Sequence, residues 1–159
     1  MSSQRIDRKS RHEISLIRSA ARINAETHVT VQNAIAPGVS TQELNDLAEA
    51  YILKSGGIPT FKGLYGFPAT LCISVNDEVV HGLPNPQRIL KEGDVVSIDC
   101  GTTYKGMVSD SAVTWGVGTI SLELERLLKA TEEGLLAGIA QMCPGNYLED
   151  ISGAIEDVC

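Results

Sequence analysis

Asp99 and Asp110 stand eleven residues apart in a stretch that reads as a β-hairpin, and carboxylates so placed are suited to hold a divalent cation. Gly93-Asp94-Val95-Val96-Ser97-Ile98-Asp99-Cys100 is apolar and β-branched, Thr102 to Gly106 carries turn chemistry, and Met107 to Trp115 runs back as a second strand. A turn centred on Tyr104-Lys105 places Asp99 directly opposite Asp110. Opposed side chains on such a ladder lie about 4.5–5.5 Å apart at Cβ, and like charges there are destabilising. A cation is the simplest compensation. The other residues on that face are Val95, Ser97, Gly101, Val108, Ala112 and Thr114, mostly small enough to let a ligand approach. Two solvated acids on an exposed face stay open as the alternative.

The elements around this hairpin are punctuated clearly. Ser10-Arg11-His12-Glu13 is a capping box, opening a helix whose apolar stripe includes Ile14, Ile17 and Ala21 and which ends near Ala36, before Pro37-Gly38. Ser40-Thr41-Gln42-Glu43 is a second capping box, leading into Leu44, Leu47, Ala48, Tyr51 and Ile52, with Gly56-Gly57 as the stop. Strand-like segments follow at Leu71–Val75 and, after a turn at Asn76-Asp77-Glu78, at Val79–His81. From Ser121 the helical period returns through Leu124, Leu127, Leu128, Leu135 and Ile139 to Pro144-Gly145. A last amphipathic stretch carries Ile151, Ala154, Ile155 and Val158.

The end of the chain repeats its beginning. Pro37-Gly38 followed by Glu43-Leu44 matches Pro144-Gly145 followed by Asp150-Ile151 at an offset of 107 residues, and apolar positions coincide: Leu47 with Ala154, Ala48 with Ile155, Tyr51 with Val158. Repeated units usually need one another to bury their apolar faces. The first unit has two helices and then acid-bearing strands, whereas the second has two helices and reaches Cys159. The expected organisation is a first half over 1–118 and the helices opening a second half over 119–159, within a single domain.

With 159 residues, 43% of them hydrophobic, the chain is long enough for a true core. A net charge of −7 argues against a strong nucleic-acid or anionic-membrane surface. Arg5, Arg8, Lys9 and Arg11 cluster at the front and read as a solvated lead-in to the first helix. No apolar run reaches the roughly 18 residues of a membrane span. Cys72, Cys100, Cys143 and Cys159 lack C-x-x-C spacing and read as buried, reduced thiols, which sets the expected location as cytoplasmic.

Phe67 to Pro84, with its run Ser74-Val75-Asn76-Asp77-Glu78-Val79-Val80-His81-Gly82, and Leu90 to Gly101, followed by Gly106 and Asp110, strongly resemble type I methionine aminopeptidases. The likeness runs from about Ile14 to the end. It implies an α+β, pita-bread (creatinase/aminopeptidase) fold of two pseudo-symmetric halves, here with the first half complete and the second truncated after its helices. It further implies a dinuclear metal centre of two divalent ions (cobalt, manganese, iron or zinc), with Asp99 and Asp110 as ligands and Asp110 bridging. His81 would hydrogen-bond near the scissile amide. Phe61, Leu64, Phe67 and Cys72 fall where the family builds its methionine pocket, and the family often has Tyr at the position of Leu64. An apolar pocket suits a thioether, which gains from burial and from aromatic contact.

The activity so implied is removal of the initiator methionine from nascent proteins by metal-assisted hydrolysis, with a glutamate shuttling the proton. The implied partners are N-terminal methionyl peptides and the ribosome that presents them, with no nucleic acid and no membrane. The resemblance also implies that a further His and two Glu come from strands of the second half, so the 159 residues alone are not expected to be a competent enzyme. Two other roles stay open: a non-catalytic pita-bread relative that binds peptides or proteins through the same groove, and a prolidase-type peptidase with the same two acids.

Overall fold

A computed structural model describes residues 7–159; of the basic cluster at the front, Arg5 lies outside the described residues. The chain forms two compact units, Met1–Gly118 and Thr119–Cys159.

The first unit is a four-stranded antiparallel sheet backed by two helices. Helix α1 (Arg11–Gln32) begins where Ser10 and Glu13 cap each other reciprocally, and α2 (Thr41–Lys54) begins the same way at Ser40 and Glu43. Strand β3 (Val95–Tyr104) is the centre of the sheet. Along its whole length it pairs with β4 (Met107–Gly116); its other edge is shared by β2 (Leu71–Val75) and the short β1 (Ile58–Pro59). Side-chain alternation splits the sheet into two chemistries. Leu71, Ile73, Val75, Val96, Ile98 and Cys100 point to the helix side, where they form the core with Ile23, Val31, Leu44, Ala48 and Ile52. The opposite face carries Cys72, Asp99, Gly101, Asp110 and Ala112.

The buried stripe of α1 differs from the apolar one expected. Ala20, Ile23, Asn24, Thr27, His28 and Val31 are buried, whereas Ile14 and Ala21 are exposed and Ile17 is only half-buried. The reason is that polar side chains on this stripe are satisfied by strand groups. The Asn24 amide donates to the Cys100 carbonyl at 2.5 Å and accepts the Ser111 hydroxyl at 2.5 Å, and His28 Nε2 lies 3.0 Å from the Ser111 carbonyl. Helix α2 is pinned likewise: Asn45 Oδ1 accepts the backbone N–H groups of Thr70 and Leu71 at 2.9 and 3.1 Å. Helix α1 also stops at Gln32 rather than near Ala36. Val79–His81 is not a strand; Val79 and Val80 are exposed in an irregular segment between β2 and β3.

The second unit is a helix pair, α3 (Leu122–Ala140) and α4 (Leu148–Val158). Ser121 caps α3 through its hydroxyl, and the Asp150 carboxylate accepts the Tyr147 N–H at 2.7 Å at the start of α4. The helices meet at Gly134 and Gly138, both buried, against Ile151, Ile155 and Cys159. Cys143 and Cys159 are exposed, not buried as expected, because each lies just past a helix, Cys143 in the link after α3 and Cys159 after α4; Cys72 and Cys100, inside the sheet, are buried. Among the described residues no helix is long and apolar enough to cross a membrane.

Candidate metal and substrate site

The site is built from the helix-free face of the sheet outward. The hairpin turn is Lys105-Gly106, both with positive φ (47° and 81°), as a two-residue type I′ turn requires. Centring it on Tyr104-Lys105 would ask a bulky aromatic to take the left-handed conformation that glycine adopts at no cost. The register therefore moves from the expected one. Asp99 pairs with Ala112, and Asp110 with Gly101, so the acids are diagonal neighbours on the same face. The diagonal spacing, about 7–8 Å or somewhat less at Cβ, still lets two carboxylates reach each other.

They do so. Burial pushes the half-buried Asp99 up to about 6; the negative charge of Asp110 and a hydrogen bond between the two carboxyl groups push the same way, and nearby His81 pulls back. Asp99 Oδ1 is buried and has no hydrogen-bond partner. A buried carboxylate oxygen without a partner is costly, and a cation satisfies it. The donor set is hard oxygen, the kind that divalent cations accept. Among the described residues no group of three or more His, Cys, Asp or Glu side chains is arranged to hold a metal, and Asp99 and Asp110 come together as a pair of carboxylates without a third such side chain.

Cys72 completes the row across the strands, pairing with Asp99. Burial and the two aspartates push its thiol up to about 11, so at neutral pH it is an uncharged wall, not a nucleophile.

Two segments rise from the sheet to enclose this face. The first, from Thr60 to Thr70, is tied down at both ends. Thr60 N–H donates to the Gly101 carbonyl at 2.9 Å, and Glu49 on α2 holds Lys62 at 2.6 Å and the Thr70 hydroxyl at 2.9 Å. Phe61 lies so close over Gly101 that a β-carbon there would come within 2.6 Å of its ring; the glycine is what lets the aromatic settle on the sheet. At the crest, Tyr65 takes a left-handed φ of 50° and is fully exposed. The second segment carries His81, also left-handed with φ 58°. It is drawn against β2 by the Ile73 N–H, which donates to the Gly82 carbonyl at 2.9 Å. A β-carbon on Gly82 would sit 2.1 Å from the Ile73 carbonyl oxygen. Only glycine permits that approach, and through it His81 is set beside the acids.

The result is one cavity of about 640 Å³, within the usual size of small-molecule sites. Phe61, Leu64, Phe67, Cys72, His81, Asp99 and Asp110 all line it. Tyr65, Gly66, Pro68 and Leu83 line it too, and sequence reasoning missed them. The signal for three of these was adjacency to Leu64 and Phe67 in a segment rich in Gly, Pro and aromatics; for Leu83 it was the motif around His81. Chemically, the cavity pairs an apolar recess with an acidic, cation-seeking floor.

Comparison with known proteins agrees with this chemistry. Residues 15–159 match the model of metallopeptidase family M24. A methionine aminopeptidase of Clostridium perfringens is 49% identical over 93% of this chain and 59% of its own length, and methionine aminopeptidase 1 of Bacillus subtilis is 47% identical with the same coverage. The chain thus spans about 59% of these relatives. The crystal structure of methionine aminopeptidase from Thermotoga maritima superposes with a TM-score of 0.94 at 36% identity, covering 97% of this chain and 62% of that one. Prolidase from Pyrococcus furiosus, at 20% identity and a TM-score of 0.84, shares the pita-bread fold, with 94% of this chain and 43% of that one covered. The match over 15–159 makes this chain a member of metallopeptidase family M24, a family that uses divalent metal.

Proposed function

We propose that the chain carries the substrate pocket and two of the metal ligands of an aminopeptidase that removes N-terminal methionine from nascent proteins in the cytoplasm. The observation that carries this reading is the convergence, on one cavity, of the partnerless Asp99 Oδ1, Asp110, His81 and an apolar wall. Asp99 and Asp110 would hold the divalent ions, two in number and drawn from cobalt, manganese, iron or zinc. When bound, such ions supply an activated water and polarise the scissile carbonyl. The chain's own residues do the rest of the positioning. Phe61, Leu64, Phe67 and Cys72 receive the methionine side chain, whose sulfur gains from the two aromatic rings. His81 donates a hydrogen bond near the scissile amide, and its left-handed backbone fixes the direction from which it does so. The substrates are methionyl peptides, and the ribosome is where they emerge.

The test is release of methionine from a Met-Ala-Ser peptide with Mn²⁺ or Co²⁺, run with a chelator control and beside Asp110→Asn. Chelator-sensitive release that the substitution abolishes is the expected result of a completed site. Release that ignores chelator, or that survives Asp110→Asn, overturns the proposal. A folded chain that releases no methionine and takes up no Mn²⁺ supports the second reading, a non-catalytic peptide-binding relative; the lack, among the described residues, of a third His, Cys, Asp or Glu beside the two aspartates is the observation in its favour.

A further inference from the structure

A second cavity, of about 340 Å³, opens on the helix side of the same sheet. It is bounded by one face of α1 with Ser15, Arg18 and Arg22, by Ser55 at the end of α2, and by Tyr104 at the end of β3. Tyr104 shares the face of Val96, Ile98 and Cys100, so the cavity lies on the side of the sheet away from Asp99.

Its charge is the reverse of the molecule's. The chain carries 20 acidic and 13 Lys and Arg residues, yet Arg18 and Arg22 stand one turn apart, a like-charge spacing that disfavours an isolated helix. Among the described residues neither arginine makes an ion pair; those pairs are Lys9–Asp7, Lys62–Glu49, Arg88–Glu78 and Lys129–Glu133. Glu26, one turn beyond Arg22, takes the Tyr51 phenol at 3.0 Å. Lys105 lies outside the lining, its Nζ 5.4 Å from the centre of the Tyr104 ring. The hydroxyls of Ser55 and Tyr104 have no hydrogen-bond partner among the described residues, whereas that of Ser15 is used on the His12 carbonyl at 2.7 Å. Two guanidinium forks and two unspent hydroxyl donors around a concavity form the donor set that a tetrahedral oxyanion takes. The space exceeds that of a bare phosphate.

We propose that this cavity binds the phosphate group of a small phosphorylated molecule, held by Arg18 and Arg22 with the Ser55 and Tyr104 hydroxyls as further donors. The site is independent of the metal cavity.

The test is a titration of the whole chain with inorganic pyrophosphate, followed by amide chemical shifts at physiological salt and with no metal added. Acetate and a short single-stranded RNA serve as competing arms. Saturable shifts at Arg18, Arg22, Ser55 and Tyr104, with Asp99 and His81 unmoved, are expected. Arg18→Gln with Arg22→Gln should weaken binding at least about tenfold, and the corresponding Lys pair should fall between, because lysine keeps the charge but loses the fork. Shifts scattered over Arg8, Lys9 and Lys62, equal binding by the Gln pair, or acetate acting as well as pyrophosphate would overturn the proposal. So would binding of RNA without saturation by pyrophosphate, which would make the face a nucleic-acid surface.

Discussion

The two helix pairs, α1–α2 and α3–α4, are written in the same local code and bury different things. At the offset of 107 residues, α2 begins at Thr41 and α4 at Leu148, each four residues after the proline of a Pro-Gly pair. Gly38 and Gly145 take nearly the same left-handed φ, 96° and 102°. Glu43 and Asp150 reach back to the backbone N–H groups of Ser40 and Tyr147 at 2.8 and 2.7 Å. Caps and turns therefore repeat. Burial does not: the positions of Asn24, His28 and Asn45, all buried against the sheet, are occupied in the second pair by Thr131, Leu135 and Ser152, all exposed. Helix-helix volume is exchanged as well. Val31 and Ala48 of the first core correspond to Gly138 and Ile155, so the large residue has moved from one helix to its partner. Local sequence specifies where helices start and turn. What a helix buries is decided by the surface it meets.

The largest break in this comparison is expected from Asn24→Ala. It strips the Cys100 carbonyl of a donor and the Ser111 hydroxyl of an acceptor inside the first unit, costing about 3 kcal/mol. The matching change in the second pair, Thr131→Ala, removes only a hydroxyl bonded to the Leu127 carbonyl one turn back on an exposed surface, and should stay within about 0.5 kcal/mol. Urea unfolding of the two variants measures the difference. Equal costs would mean that the polar pins of α1 are not what fastens it to the sheet.

Next comes Gly82→Ala, which tests whether the first unit positions its cavity by backbone approach. With Ile73 backbone occupying the space of the new β-carbon, the segment must lift, at about 2 kcal/mol, and His81 leaves the cavity. The check is the chemical shift of the His81 ring, expected to lose its sensitivity to Asp99→Asn. A ring that still responds to that change would place the anchor of His81 elsewhere.

How much of this was legible in the sequence depends on what carried the signal. The hairpin strands were readable because Val95–Ile98 is rich in β-branched and apolar residues and Met107–Trp115 runs back from turn chemistry, and the helix starts because capping boxes are local chemistry. The register was not: the turn is decided by which two residues accept positive φ, and Lys105 gives no such sign in one sequence. The buried stripe of α1 was misread because Asn24 and His28 look like solvent residues until strand carbonyls come to meet them. Val79–His81 looks like a strand, but the chain there is held by a glycine contact, not a ladder. At the cavity the chemistry-bearing side chains were visible by type, whereas Tyr65 and Leu83 belong to it through backbone paths that no periodicity encodes.

A pH titration separates the pairs further. Burial holds His28 below its ordinary value of 6.5, although its bond to the Ser111 carbonyl pulls the other way. The unfolded chain then binds a proton more readily than the folded one, so this contribution to stability is fully present above 6.5 and is lost as pH falls through the lower, folded value. Amide exchange in α1 should quicken between pH 7.5 and 5.5 while α3, with no histidine, changes less. His28→Gln should flatten the α1 response; an unchanged response would assign the pH dependence to another group.

The smallest effect is also the one of opposite sign, and it turns on the seam between α3 and α4. Gly134 is helical and lacks a positive φ, and a β-carbon there would meet Cys159 Sγ and Ile155 Cγ2 at 3.5 and 3.6 Å, ordinary contact distances. Gly134→Ala should therefore stabilise α3 by about 0.5–1 kcal/mol, through reduced freedom of the unfolded chain and better helix propensity. Gly138 differs by one turn: its β-carbon would come within 2.9 Å of Ile155 Cδ1, so that side chain must yield and the propensity gain is offset. Amide exchange across α3 in the two variants is the measurement. Protection that rises in Gly134→Ala and not in Gly138→Ala would locate the close approach of the helices at Gly138. The reverse order would show that the Ile155 contact yields freely and that the seam is set by Gly134 instead.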